Sequence, residues 1–474
     1  MFWKTISLYH IFLIFGTSSG LAMDVRIDLQ QPVAEKGPKF VGITVDTRYL
    51  VYGQMSALDL SSPKLHTLAR ALSPSYVRVG GTDADDMVFN ATMNGWFNHT
   101  VGPSVLEKMW RLSQLAGWDL IFDLNVVVRK NGYWDPSNTR EILKFFSQQG
   151  YVVDCFQLGN EPNVFEMKYN LTVSAQALAH DYLTLKSVLQ EFPLYRNSCI
   201  LGPEVTRITQ TKTREYFIEF LKSGGAQALT AVGVHHYFCP GDPAVNLGFF
   251  TNGTLMDSLK EELDYLVSIS RQYVPQLPVW LSETGTTFGS CPGTPDLDLT
   301  YINGFLWLDK LGLTSQSAVQ HVNRQGFFSD LLDDNLDPRP EYYLTLLYKR
   351  LVQGAVFRVP TTTRNVRMYA SCTNPDSYSK GALTVYVINI ETIDVTLTLS
   401  EFKEQQLDLY MLTSGDPEDI SSRSVALNGD ELKMTGSELP PMPSRIVTGN
   451  SFTMAAKTFG FVVIPNANVP ACRR

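Results

Sequence analysis

The sequence predicts an α/β chain: a (β/α)8 TIM barrel followed by an appended C-terminal antiparallel β-sandwich. Three observations carry that expectation. From about residue 40 to about residue 350, strand-like apolar runs alternate with amphipathic helical stretches, eight times in succession. Two of those runs lead into a glutamate, Phe156-Gln-Leu-Gly-Asn-Glu-Pro162 and Val279-Trp-Leu-Ser-Glu-Thr284, at the strand ends where barrels carry their active sites. Beyond residue 357 the rhythm changes to alternating strands with no helices between them.

Taken in order, strands are expected at 40–46, 76–81, 119–125, 153–161, 200–205, 231–237, 279–284 and 319–325. Each is rich in Val, Ile, Leu and aromatic residues and is bounded by Gly, Pro, Asn or Asp. Helices such as 62–72, 173–189 and 213–223 fall between them. A doubly wound open sheet would show the same alternation, but the Gly-rich phosphate fingerprint it often carries is absent. Sandwich strands follow at 366–370, 382–390, 395–400, 407–412 and 458–464, with Asn, Gly, Asp and Pro in the turns. Residues 1–22 read as a secretory signal: Lys4, an apolar stretch over 6–15, then the small-residue cleavage site Gly20-Leu-Ala22. That stretch is too short for a membrane span. The expected division is therefore signal 1–22, an N-terminal segment 23–39 adding an edge strand (25–29) to the sandwich, catalytic barrel 40–354 and sandwich 355–474.

The 474 residues carry a formal charge of −8, with 44% hydrophobic and 18% charged residues. No Lys/Arg-rich run is present, which argues against a nucleic-acid partner and counts against a very highly sulfated polymer. The six cysteines, Cys155, Cys199, Cys239, Cys291, Cys372 and Cys472, suit an oxidising compartment. None has CxxC or Cys/His spacing, so no metal site is expected. Four N-x-S/T sequons, at Asn90, Asn98, Asn170 and Asn252, fit the secretory route. A secreted protein is expected, the lysosome being the other lumenal destination.

A lone Glu after a strand is more often a surface carboxylate than a catalyst. Two of them on one barrel rim, with Asn160 beside the first, match what glycosidic-bond hydrolysis needs. One carboxyl must be protonated to donate to the leaving oxygen, and the other ionised to attack or to activate water. The two carboxyls carry that chemistry themselves, and no cofactor or metal is called for.

Further motifs extend along the chain: Ser62-Pro-Lys-Leu65, Arg78-Val-Gly-Gly-Thr82, Gly159-Asn-Glu-Pro162, His235-His-Tyr237, Trp280-Leu-Ser-Glu-Thr284, Trp307-Leu-Asp-Lys-Leu-Gly-Leu313, Arg324-Gln325 and Leu427-Asn-Gly429. In this order they resemble the heparanase family of retaining endo-β-glucuronidases, glycoside hydrolase family 79, which includes leech-type hyaluronidases. The resemblance implies Glu161 as acid/base and Glu283 as nucleophile, with carboxyls roughly 5–5.5 Å apart and a covalent glycosyl-enzyme. It implies that Asn160 meets the sugar 2-hydroxyl and that His235 and Tyr237 orient the nucleophile. Asp46, Gly81, Thr82, Gly289 and Gln325 are implied to face the substrate. His236 is expected to be structural, and Arg78 to support the barrel floor or a buried carboxylate. Cys372 and Cys472 match the family's disulfide. By position alone, Cys155 can bridge to Cys199, and Cys239 to Cys291.

Three departures bear on substrate. The segment 82–118 holds no long activation linker, so a single, uncleaved, monomeric chain is expected. The loop 326–332 lacks the Gly/Asn/Tyr stretch with which family members hold the uronate carboxylate. Phe288 stands where Tyr is usual and Ser290 where Gly is. Of the basic clusters that grip sulfated chains, Arg207, Lys212, Arg214 and Lys222 remain. The implied substrate is a glycosaminoglycan, heparan sulfate or hyaluronan. A catalytically silent, secreted glycosaminoglycan-binding protein on the same fold is the alternative, and the altered loop also raises a neutral-sugar glycosidase.

Overall fold

Eight short apolar runs, each too hydrophobic to face water on either side, close on one another as a parallel barrel. The strands are β1 (Val41–Asp46), β2 (Ser75–Gly80), β3 (Trp118–Leu124), β4 (Cys155–Leu158), β5 (Cys199–Val205), β6 (Ala231–His236), β7 (Val279–Thr284) and β8 (Val319–Arg324), with β8 pairing back to β1. The computed structural model of the chain describes residues 20–239, 245–288, 291 and 296–473. Helices between the strands start where the sequence offers caps: Ser62 accepts from Leu65 N–H, Ser174 from Ala177 N–H and Asn252 from Thr254 and Leu255 N–H.

The barrel interior has two layers. Ile121, Cys155, Leu201, Ala231 and Trp280 form an apolar floor. Arg78, Asp123, Gln157, Glu204, His235 and Glu283 sit above it, all buried. The change from apolar to polar follows the two-residue side-chain period along β2, β3 and β4. In β5, β6 and β7 the ladder shifts register near the upper end, at Pro203/Val205, Val234/His235 and Leu281/Thr284. Such irregularities re-aim side chains. Gly233 makes room for one of them, because a Cβ there would lie 1.8 Å from Glu204 Oε1.

Strand boundaries depart from expectation in one place that matters. The fourth strand was expected through 161 but ends at Leu158, so Glu161 stands on a turn beyond it. The C-terminal unit is a sandwich of a nine-stranded and a three-stranded sheet. Its N-terminal contribution differs from the expected 25–29. Leu21–Val25 joins the small sheet and Ala34–Lys36 the large one. Leu21–Val25 pairs parallel with Val395–Leu399, so the sandwich is not wholly antiparallel, and its first two residues fall inside the expected signal. The incoming chain covers a strand edge whose other side already pairs with Ser451–Met454. Residues 1–19 lie outside the described ones.

Cysteine pairs are Cys155–Cys199, Cys239–Cys291 and Cys372–Cys472. The first ties adjacent β4 and β5 at their starts, where the two residues are register partners. All four sequon asparagines are exposed. No helix among the described residues is long and apolar enough to cross a membrane.

The central strands of the large sheet, Val366–Cys372, Leu383–Asn389 and Thr458–Ile464, are buried on both faces. Val385, Val387, Val462 and Ile464 fill the sandwich, while Tyr369, Tyr386, Phe459 and Phe461 join the barrel's core. The helix Asn303–Gln316, buried nearly all round, lies between barrel and sheet. Phe459 packs on Tyr301 and Phe305, each at 4.9 Å between ring centroids. Phe459→Ala is expected to cost about 3–5 kcal/mol of unfolding free energy, read by denaturant titration. An unchanged midpoint would mean that the sheet does not depend on this contact.

Candidate active site

Glu161 and Glu283 meet over the upper layer of the barrel. Glu161 has φ 58°, a left-handed conformation uncommon for a residue with a side chain, and its N–H donates to Glu204 O at 2.9 Å. Glu283 comes from β7. Its Oε2 accepts from Arg78 Nη1 at 2.7 Å and its Oε1 from Tyr237 OH at 2.9 Å. Oxygens of both glutamates and a ring nitrogen of His235 lie within 4.8 Å of one another.

His235, from β6, stands between three carboxylates. Nδ1 is 3.2 Å from Glu161 Oε1 and 3.9 Å from Glu283 Oε1, while Nε2 is 3.0 Å from Glu204 Oε2. With a carboxylate oxygen at each ring nitrogen, the ring is held as an imidazolium. Burial pushes it down, but the Glu283 charge and the bonds to Glu161 and Glu204 raise it to about 10. Glu161 has a second cation: Lys168 Nζ lies 2.9 Å from its Oε2 and 3.1 Å from Thr82 Oγ1. Burial pushes the Glu161 carboxyl up, yet the His235 bond and the Lys168 ammonium outweigh it and hold it at about 2. Below them, burial lifts Asp123 to about 7 and, together with the Asp123 charge, lifts Asp85 well above the usual range.

The other expected residues converge on the same rim. Asn160 is buried, and its Oδ1 accepts from Arg78 Nη2 at 2.9 Å. Among the described residues no acceptor bonds its Nδ2, which is left to donate to a ligand. Asp46 accepts from Arg48 N–H at 2.9 Å and from Gln325 Nε2 at 3.0 Å, joining the ends of β1 and β8. Gly81, at φ 117°, places its backbone against the Asp46 carboxylate, where a Cβ would lie 3.1 Å from Oδ1. Thr82 is exposed beside Lys168. Phe288 packs on Tyr237. Gly289 and Ser290 lie outside the described residues. His236 is structural as expected: it faces away from the barrel interior and accepts at Nδ1 from Lys310 at 2.9 Å.

Arg78 supports a buried carboxylate, as expected, and that carboxylate is Glu283. Two contributors were not anticipated. Glu204 ends a strand, the same signal that marked Glu161 and Glu283, and its fully buried carboxyl backs His235. Lys168 sits in the single turn Phe165–Tyr169, where no periodicity marks it.

Glu161, His235 and Glu283 are close enough to share a metal ion. The two carboxylates already have charge partners, Lys168 and His235 on Glu161 and Arg78 on Glu283, and need no metal to be held close.

Burial raises Asp46 to about 6 from the ordinary 3.8. Its contribution to stability is therefore present below pH 3.8 and is lost as pH rises through 6. Asp46→Asn removes that titration. In thermal melts, the variant should gain on the wild type by on the order of 1–2 kcal/mol between about pH 4 and pH 7, and no further above. A pH-independent difference would show that Asp46 is solvated in the folded chain.

Comparison with known proteins shows the family of the chain. The profile described as glycosyl hydrolase family 79, N-terminal domain, matches residues 25–312. Heparanase of Gallus gallus is 31% identical, over 95% of this chain and 96% of its own. Hyaluronoglucuronidase of Hirudo nipponia is 31% identical, over 95% and 99%. Inactive heparanase-2 of Homo sapiens is 28% identical, over 94% and 89%. In fold, the chain is similar to a 4-O-α-L-rhamnosyl-β-D-glucuronidase from Fusarium oxysporum, with TM-score 0.67, 15% identity, and coverage of 93% of this chain and 100% of that one. The chain belongs to glycosyl hydrolase family 79 and is a glycoside hydrolase.

Proposed function

We infer that the protein is a retaining endo-β-glucuronidase that cuts internal glucuronide bonds of an extracellular glycosaminoglycan. Glu161 serves as acid/base and Glu283 as nucleophile. The observation that carries this reading is the closeness of the two carboxylates, with oxygens within 4.8 Å. That spacing supports direct attack, since an inverting pair leaves a gap of about 6.5–9.5 Å for water. Arg78 and Tyr237 donate to both oxygens of Glu283, fixing it for attack on C1. Glu161 gives its proton to the leaving oxygen as that bond breaks, and later takes a proton from the water that releases the sugar. Asn160 Nδ2 is the donor available to the 2-hydroxyl. Asp46, Gly81, Thr82 and Gln325 border the same sugar.

Hyaluronan is the favoured polymer. Of Arg207, Lys212, Arg214 and Lys222, the basic residues that remain of one sulfate-gripping cluster, three are engaged elsewhere. Arg207 is paired with the buried Glu262. Arg214 lies 4.5 Å over the Tyr265 ring and donates to Thr209 O at 3.1 Å, and Lys222 lies 5.9 Å over the Tyr273 ring. Heparan sulfate is the second reading, favoured by the 31% identity to avian heparanase. Three disulfides and four exposed sequons support a lumenal or extracellular site of action for a single chain.

The test follows chain length and new reducing ends on hyaluronan and on heparan sulfate. Wild type should shorten hyaluronan, and Glu283→Gln should abolish cleavage. Glu161→Gln should slow it by about 10²–10⁴-fold, with much of the loss recovered on aryl glycosides whose leaving group needs no proton. Cleavage of heparan sulfate alone would reverse the polymer assignment. Binding without cleavage of either polymer would instead support the silent binder.

A further inference from the structure

The acid/base assigned above has a cation on each oxygen: His235 at 3.2 Å and Lys168 at 2.9 Å. A carboxylate so held is ready to accept a proton, not to give one. The two cations hold that carboxyl well below the usual carboxylate range, so it is ionised at mildly acidic pH. Something must therefore change when substrate arrives.

The buried charges indicate what. Those facing Glu161 are Lys168 from the turn after β4, His235 from β6, Arg78 from β2, Glu204 from β5 and Glu283 from β7, with Asp85 under Lys168. Asp85 is held protonated by burial and the Asp123 charge. Asp123, 3.5 Å from Arg78, adds a fourth carboxyl, so Glu161, Glu204, Glu283 and Asp123 face three cations, Arg78, His235 and Lys168, and the cluster has no positive charge to spare. Arg78 and His235 cannot leave, their side chains being 0% and 1% exposed, whereas Lys168 is 20% exposed. Its backbone is anchored by the adjacent Tyr169, whose hydroxyl donates to Thr82 O at 2.7 Å and Asp85 Oδ2 at 3.2 Å. The long side chain can thus move while the turn stays in place, and Thr82 Oγ1 offers it a second contact.

Resting on the endo-β-glucuronidase reading, we propose that Lys168 is a substrate-responsive specificity residue: an anionic group on a sugar flanking the scissile bond draws its ammonium off Glu161. The buried cluster, having lost a positive charge, takes up one proton from solvent, on Glu161. That proton passes to the glycosidic oxygen as the C1–O bond breaks and Glu283 bonds to C1. A neutral sugar leaves Lys168 in place and Glu161 ionised. The site thereby recognises an acidic polymer through one lysine, without a basic cleft.

The experiment compares hyaluronan oligosaccharides with the same oligosaccharides after reduction of their carboxylates to alcohols. It also compares N-sulfated with N-acetylated heparan oligosaccharides, so that carboxylate and sulfate sources are told apart. For kcat, activity falls as pH rises through the acid's value in the complex. Wild type should show that fall at higher pH on the anionic member of the responsible pair. In Lys168→Met the two members should fall at the same pH, and the preference for the anionic one should drop on the order of tenfold. Lys168→Arg should restore part of both effects. Equal slowing of both members in Lys168→Met, with the pH separation intact, would make Lys168 a structural tether and overturn the proposal. Failure of the wild type to cleave any native polymer would overturn the reading beneath it as well.

Discussion

Arg78 is the group around which the upper barrel is organised. It is fully buried, and its guanidinium donates to Gln157 at 2.8 Å, Glu283 at 2.7 Å and Asn160 at 2.9 Å, with Asp123 at 3.5 Å. Three strands, β3, β4 and β7, and the Asn160 turn are thus fixed by one planar set of donors on β2. A buried cation of this kind is retained only when its desolvation is offset by close partners, and removing one partner of such a pair costs about 3–5 kcal/mol. The constraint runs both ways. Arg78 needs Glu283 to be inside the barrel, and Glu283 needs Arg78 to be there at all. The neighbouring positive charge, His235, is required for the same reason once Glu161 and Glu204 are added.

This mutual dependence explains which parts of the molecule the sequence reveals. Barrel strands are visible because their signal is local: β7 was expected at 279–284 and spans Val279–Thr284. The fourth strand was overextended because Gly159-Asn-Glu161 continues no apolar pattern but was read with the run before it; the left-handed φ of Glu161 is set by its bond to Glu204 on another strand. Glu161, Glu283, Asn160, His235, Tyr237, Asp46, Thr82 and Gln325 were each legible as residues at strand ends, or through the family resemblance. Lys168 was not, since its place depends on a single turn that packs through Tyr169 on Asp85, far away in sequence. The N-terminal strand was misplaced by four residues because Leu21–Val25 is decided by a free edge at Val395–Leu399, which no local pattern near residue 21 records.

The strands that carry the reacting groups are also held from outside the barrel, by their alternate side chains. His235 and Glu283 point inward, whereas their neighbours His236 and Thr284 point outward to Lys310 on the helix Asn303–Gln316. Lys310 Nζ lies 2.9 Å from His236 Nδ1, 3.0 Å from His236 O and 2.7 Å from Thr284 Oγ1, and it also bonds Gly285 O. Burial pushes this lysine well below its usual range, and burial together with the charge of Lys310 lowers His236 to about 4. Among the described residues no carboxylate bonds Lys310 directly, so it serves by geometry, closing β6 and β7 against one another at the level of the reacting groups. The same helix meets the sandwich on its other side, where Arg367 and Tyr369 donate to Asp309. The appended domain is thereby coupled, through one buried helix, to the two strands that set the distance between His235 and Glu283. Through this helix the sandwich is tied to the strands of the active site even where it lies outside it.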